Sequence, residues 1–203
     1  MKHKFGTLLM LLGSALILSA LALFLYNQRE AAQAEESAAV LLPRLVEEVS
    51  RIEETQPLQP EIPAQLLTPE QEKMPETVIE GNSYIGYLSL PTLDLELPIM
   101  SDWSMENLRI APCRYYGSLR GNDLVLLAHN YDRHFGRLGK LNEGDQVLFT
   151  DMNGVTTEYE VIAQDILDPY AVEEMTSGEF DLTLFTCTYG GKSRVTVYCD
   201  RVK

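Results

Sequence analysis

From Phe5 to Tyr26 the chain runs 22 residues without a charge, mostly Leu, Ala, Phe, Ile and Met, directly behind Lys2 and Lys4. A helix needs roughly 20 such residues to cross a hydrocarbon core of about 30 Å, whereas the apolar part of a signal peptide usually runs about 7 to 15. The segment reads as a retained transmembrane anchor. A cleaved signal is the alternative, with Ala32-Gln33-Ala34 as a small-residue site lying beyond the charged Arg29 and Glu30. Both readings export the rest of the chain. Basic residues before the span and an acidic stretch after it leave residues 1–4 in the cytoplasm and put everything from Asn27 onward outside the cell membrane, in a single-pass arrangement.

Residues 27–80 carry 4 Lys or Arg against 12 Asp or Glu, and the stretch from Gln56 to Glu76 holds five prolines. Such a composition predicts an extracytoplasmic stalk, with a juxtamembrane helix interrupted at Pro43 and then an extended Pro-rich spacer. The helical part has apolar residues at Val40, Leu41, Leu45, Val49 and Ile52, close to a helical period. Over the whole chain the net charge is −14, which excludes a basic face for duplex nucleic acid.

Residues 81–203 hold all three cysteines, two of the three histidines and the single Trp. Short β-like runs fill this part: Tyr84 to Leu90, Leu93 to Met100, Asp123 to His129, Asp145 to Asp151, Thr156 to Asp165, Leu182 to Cys187 and Arg194 to Val202. Turn signals separate most of them, clearest at Asp151-Met-Asn-Gly154, which reads as a hairpin. Two short helices are expected, around Trp103 to Ile110 and Phe135 to Leu141. Seven or eight strands in roughly 120 residues predict an all-β domain, a small closed barrel or a sandwich.

Three cysteines in an exported domain leave at least one free thiol. Spacings of 74 and 12 residues fit no zinc pattern, and a disulfide between Cys113 and Cys199 stays open. Cys187 ends one run, and six residues separate it from Arg194, where the last run begins. If these form a hairpin with Cys187 opposite Arg194, then Leu184 opposes Val197 and Leu182 opposes Cys199 on one apolar face. Thr183, Phe185, Cys187, Arg194, Thr196 and Tyr198 share the other. A guanidinium beside the thiol favours the thiolate, the nucleophilic form, whereas Cys199 falls on the apolar face as an inert group.

A nucleophilic thiol needs a base, usually histidine. His3 is excluded by topology. His129 follows the apolar run Leu124-Val-Leu-Leu-Ala128, which would deliver it to a barrel rim, and His134 lies in the polar turn beyond. A strand-end cysteine can equally be a small hydrophobe, and a strand-end histidine a satisfied structural group.

Taken together, these residues resemble the sortase family of Gram-positive cysteine transpeptidases. The likeness rests on Thr183-Leu184-Phe185-Thr186-Cys187, the strand-borne Arg194-Val-Thr-Val197, and Ala128-His129-Asn130. Leu-Ser-Leu-Pro91, Leu-Asp-Leu-Glu-Leu-Pro98, Phe135-Gly-x-Leu138 and Gly144-Asp145 add to it. It covers approximately residues 84–203, together with the plan of anchor and stalk. His-Asn followed by Phe-Gly-x-Leu looks like class B, whereas the short stretch between Asp165 and Asp181 looks more like class D.

The resemblance implies a closed eight-stranded β-barrel at 81–203 after the anchor at 5–26 and the stalk at 27–80. It implies a membrane-anchored transpeptidase that cleaves an LPxTG-like sorting signal through a thioester. The acyl group then passes to an amine of a lipid-linked cell-wall precursor or a pilin lysine. Cys187 takes the nucleophile's position, His129 that of the general acid and base, and Arg194 that of the oxyanion or substrate stabiliser, with Thr186 behind them. Neither a metal nor a cofactor is called for. An exported cysteine peptidase using water, or a catalytically silent barrel that scaffolds envelope assembly, are the competing readings.

Overall fold

The computed structural model describes residues 2–55 and 74–203, so most of the expected Pro-rich spacer from Gln56 to Glu76 lies outside the described residues. Helix α1 (Lys2–Thr55) comes first, followed by strands β1 (Thr77–Ile79), β2 (Asn82–Leu90), β3 (Leu95–Met100), β4 (Cys113–Tyr116), β5 (Leu124–Ala128), β6 (Gln146–Asp151) and β7 (Thr156–Leu167). A one-turn helix α2 (Val172–Met175) precedes β8 (Leu182–Cys187) and β9 (Arg194–Arg201).

The strands are ordered β1-β2-β3-β4-β5-β8-β9-β7-β6, and β6 pairs back onto β2. This closes a barrel of eight strands, β2 to β9, and removes the free edges that an open sheet would leave. β1 adds to β2 outside the ring, with Thr77 opposite Tyr84. Closure is tight at Gly86, where a Cβ would stand 2.0 Å from the Thr150 carbonyl oxygen. Leu88, Leu97, Ile99, Leu124, Leu126, Phe149, Leu184 and Val197 fill the interior, each buried as strand alternation requires. The Asp151 hairpin forms as expected: its carboxylate accepts from the Asn153 and Val155 amides at 2.9 and 3.0 Å, and Thr150 opposes Thr156.

Three features differ from the sequence reading. The two expected helices are single 3-10 turns, Asn107–Arg109 and Leu138–Lys140. β4 was not among the expected strands; the Pro112 carbonyl just before it accepts from the Met100 amide at 2.9 Å and begins the pairing. Pro43 does not interrupt α1. A mid-helix proline costs about 3 kcal/mol, and burying a side chain such as Leu returns roughly 1.5–3 kcal/mol. Leu41, Leu45 and Val49 flank Pro43 and are buried against the barrel, while Pro43 itself faces solvent.

That packing gives α1 two halves. No residue from 6 to 29 is buried. From Glu30 onward a stripe faces the barrel, with Ala34, Ala38, Leu41, Leu45 and Val49 buried at helical spacing. Leu41, Leu45 and Val49 join Tyr84, Met100 and Cys113 in a second core outside the barrel. Arg44 pairs with Glu80, and Arg133 with Glu35 at 3.3 Å. Both α1 beyond residue 30 and β1 therefore pack on the barrel, although they precede the boundary expected at residue 81.

Candidate active site

The β8–β9 hairpin has the anticipated register: Cys187 opposes Arg194, Thr186 opposes Val195, Leu184 opposes Val197 and Leu182 opposes Cys199. Local chemistry closes its loop. The Thr188 amide donates to the Ser193 carbonyl at 2.9 Å, and the Ser193 amide donates to Thr188 Oγ1 at 3.1 Å. Arg194 Nη1 donates to the carbonyls of Gly191 and Ser193 at 3.2 and 3.3 Å, so the guanidinium is held by the loop that follows Cys187.

β5 lies parallel to β8 on the side away from β9, with Ala128 opposite Thr186. Thr186 Oγ1 donates to the Ala128 carbonyl at 2.8 Å, in a buried bond. The residues that follow, His129 and Cys187, therefore leave adjacent strands at the same end of the barrel, directly above this bond. After His129 the chain turns sharply: the Phe135 amide donates to the His129 carbonyl at 3.2 Å, and the Gly136 amide to the Tyr131 carbonyl at 2.9 Å. A Cβ on Gly136 would stand 2.5 Å from the Asn130 carbonyl oxygen, so the turn needs glycine there.

The face carrying Thr183, Phe185, Thr196 and Tyr198 is covered by other parts of the chain. Met175 of α2 packs on Phe185 and Val125, with Tyr115, Leu127 and Leu167 around them. Phe180 stacks on Tyr198 with ring centroids 4.5 Å apart, and Tyr115 meets Phe185 edge-on at 5.2 Å. Trp103 lies against Tyr115 at 5.7 Å. Cys187 and Arg194, at the open end of this face, stay partly exposed.

The other two thiols differ in kind. Cys113 and Cys199 are fully buried, in separate cores, and all three cysteines are free. Burial pushes the Cys113 thiol up to about 12 and raises Cys199 as well, which keeps both protonated and unreactive. His129 is half-buried, and burial lowers its pKa; the Glu30 carboxylate opposes that shift and Arg109 adds to it. His134 is fully buried, with neither ring nitrogen in a hydrogen bond of regular geometry among the described residues and the Ala34 carbonyl as its neighbouring acceptor. Burial and the neighbouring His129 lower its pKa to about 4, partly opposed by the Ala34 carbonyl.

A family model described as Sortase domain matches residues 88–202, more than half of the chain. The chain belongs to the sortase family.

As a sortase it is a cysteine transpeptidase with the family's eight-stranded barrel. Solved sortases resemble it moderately. Sortase C1 from Streptococcus suis shares 27% identity over 59% of this chain and 73% of its own, at a TM-score of 0.52. Sortase C1 from Streptococcus agalactiae shares 25%, covering 69% and 79%, at 0.55. Sortase A from Corynebacterium diphtheriae shares 22% over 87% and 93%, at 0.54, and that likeness speaks to the fold. No curated protein matches the chain significantly. These solved relatives belong to classes A and C, and they do not carry the class B or class D likeness seen in the motifs.

Sequence reasoning missed three residues around this sortase's His129. The Tyr131 ring lies 4.9 Å from His129 and 5.6 Å from His134, against both imidazoles. Glu30 and Arg109, 4.0 Å apart, act electrostatically on His129 from α1 and from the 3-10 turn after β3. The adjacent aromatic Tyr131 was a usable signal; nothing in the sequence connects Glu30 with a residue 99 positions later.

Proposed function

We propose that this sortase is a membrane-anchored transpeptidase in which Cys187 is the nucleophile, His129 the general acid and base, and Arg194 the stabiliser of developing negative charge. The observation that carries the reading is the β5–β8–β9 register, which supports His129, Cys187 and Arg194 at one end of three neighbouring strands. The Cys187 thiolate attacks the carbonyl of an LPxTG-like sorting signal, and Arg194 donates to the oxygen that becomes negative. His129 as imidazolium protonates the departing amine as the C–N bond breaks, leaving a thioester on Cys187. It then takes the proton of an incoming amine, from a lipid-linked cell-wall precursor or a pilin lysine, as the new amide forms. Thr186 fixes the two strands beneath and touches neither reacting atom.

The anchor at 5–26 places residues 1–4 inside the cell and the barrel outside it. Held there, the enzyme meets both an exported protein and a lipid-borne acceptor. The short connection from β7 to β8, which contains only the one-turn α2, favours the class D likeness over class B.

Mass spectrometry of the full chain in detergent, after incubation with a library of sorting-signal peptides, tests this reading. An acyl adduct on Cys187 that disappears when an amine is added, with an amide product, is expected. Release by water at an unchanged rate would make the protein a peptidase, and absence of any adduct would favour the scaffold reading.

A further inference from the structure

The active-site end of the barrel is also the end nearest the apolar span. Tyr26 closes the uncharged run, and only four residues later Glu30 reaches Arg109 at 4.0 Å. At 1.5 Å per residue those four residues amount to about 6 Å along the helix axis. The helix is unbroken across the junction, and the barrel covers it from residue 30 onward while leaving residues 6–29 unburied. The barrel thus stops where the apolar span stops. Further along the helix, Arg133 meets Glu35, and Val49 packs in the outer core with Ile79 beside it, so the His129 loop lies nearer the span than β1 does.

We propose that α1 is a rigid strut that holds the His129 end of the barrel against the headgroup layer, so that the active-site mouth opens onto the membrane surface. The proposal rests on the anchor reading above and adds an orientation to it. A flexible stalk would let the mouth face any direction; a helix docked through Ala34, Ala38, Leu41, Leu45 and Val49 permits one. The facing rim sets exposed apolar side chains among charges of both signs, exposed Asp102 and Glu106 included, as suits the headgroup layer of a bilayer. Trp103 and Met105, 47% and 60% exposed, lie on the loop that carries Arg109, and exposed Arg29 projects from the junction itself. Trp and Arg at the boundary of a bilayer are favourably placed, the ring among headgroups and the cation beside phosphate.

Trp103 is the only tryptophan, so its fluorescence reports this rim. The full chain is reconstituted in phosphatidylcholine–phosphatidylglycerol vesicles that carry a dansyl headgroup as energy acceptor. Strong transfer from Trp103 is expected. A second protein carries seven helix-forming residues inserted between Asn27 and Gln28, which lifts the barrel by about 10 Å and returns its docked stripe to within about 20° of the original direction. It should float with the vesicles and keep its turnover with a soluble amine, yet lose most of the energy transfer and most of its rate toward an amine attached to a headgroup. Wild-type protein that floats without transferring energy, or an insertion variant that transfers as well as wild type, overturns the orientation and leaves the anchor standing. Failure of the wild type to float overturns both.

Discussion

Two of the three cysteines are chemically silent for a reason that the strands impose. Cys199 points into the barrel, Cys113 into the core beneath α1, and burial keeps each thiol protonated. Cys187→Ala should therefore abolish acyl-enzyme formation with the thermal midpoint nearly unchanged, since a partly exposed thiol contributes little packing. Cys199→Ala should do the reverse, lowering stability by about 1–2 kcal/mol and sparing turnover. Chemical unfolding and single-turnover assays on both variants check the pair. His134 makes a different prediction. Its folded pKa of about 4 lies below the ordinary 6.5, so the unfolded chain binds the proton more readily between those values. Stability is then complete above about pH 6.5 and falls as pH drops toward 4, by roughly 3 kcal/mol for the full shift. His134→Leu should flatten that acid slope in urea titrations at pH 4.5 and 7; an unchanged slope would place the acid sensitivity elsewhere.

Among the elements, α1 bears on the candidate site as well as on the fold. Its Glu30 favours the charged form of His129, against burial and Arg109, which disfavour it. Glu30→Gln removes the favourable charge and leaves Arg109 unopposed, so the His129 pKa should fall further. The acid limb of the rate profile should then move to lower pH, and Arg109→Gln should move it higher. Titration of the His129 ring proton by NMR reads both shifts, and identical titration curves in the two variants would mean that α1 does not influence the base. The β5–β8 pair owes its alignment to Thr186, whose hydroxyl bond to Ala128 joins residues 58 positions apart. The buried Thr186 hydroxyl, just before Cys187, needs an acceptor, and the neighbouring strand supplies one.

For the whole molecule, the consequence is that the apolar half of α1 and the barrel are joined twice, once by the chain between α1 and β1 and once by the packed face of α1. A protease site placed within residues 57–73 and cut in membranes should leave the barrel bound, because Leu41, Leu45 and Val49 stay buried on it. Urea at a concentration that unfolds the barrel should then release a fragment beginning in that stretch. Sedimentation before and after urea checks this, and release on cutting alone would show that the packed face contributes little. What could be read without the fold was local or periodic. The apolar span follows from 22 uncharged residues, and the β8–β9 register from alternation across a six-residue loop, where one slip would turn Leu184 and Val197 outward. His129 could be placed at a strand end, but not beside Cys187. Parallel strands need no short connection, and the pairing of Ala128 with Thr186 joins residues 58 positions apart. The stripe from Ala34 to Val49 shows its period in the sequence without naming the surface it covers. Only the folded chain decided that the stripe lies on the barrel and reaches the end that carries His129, because burial is a property of two surfaces and the sequence of one displays just half of it.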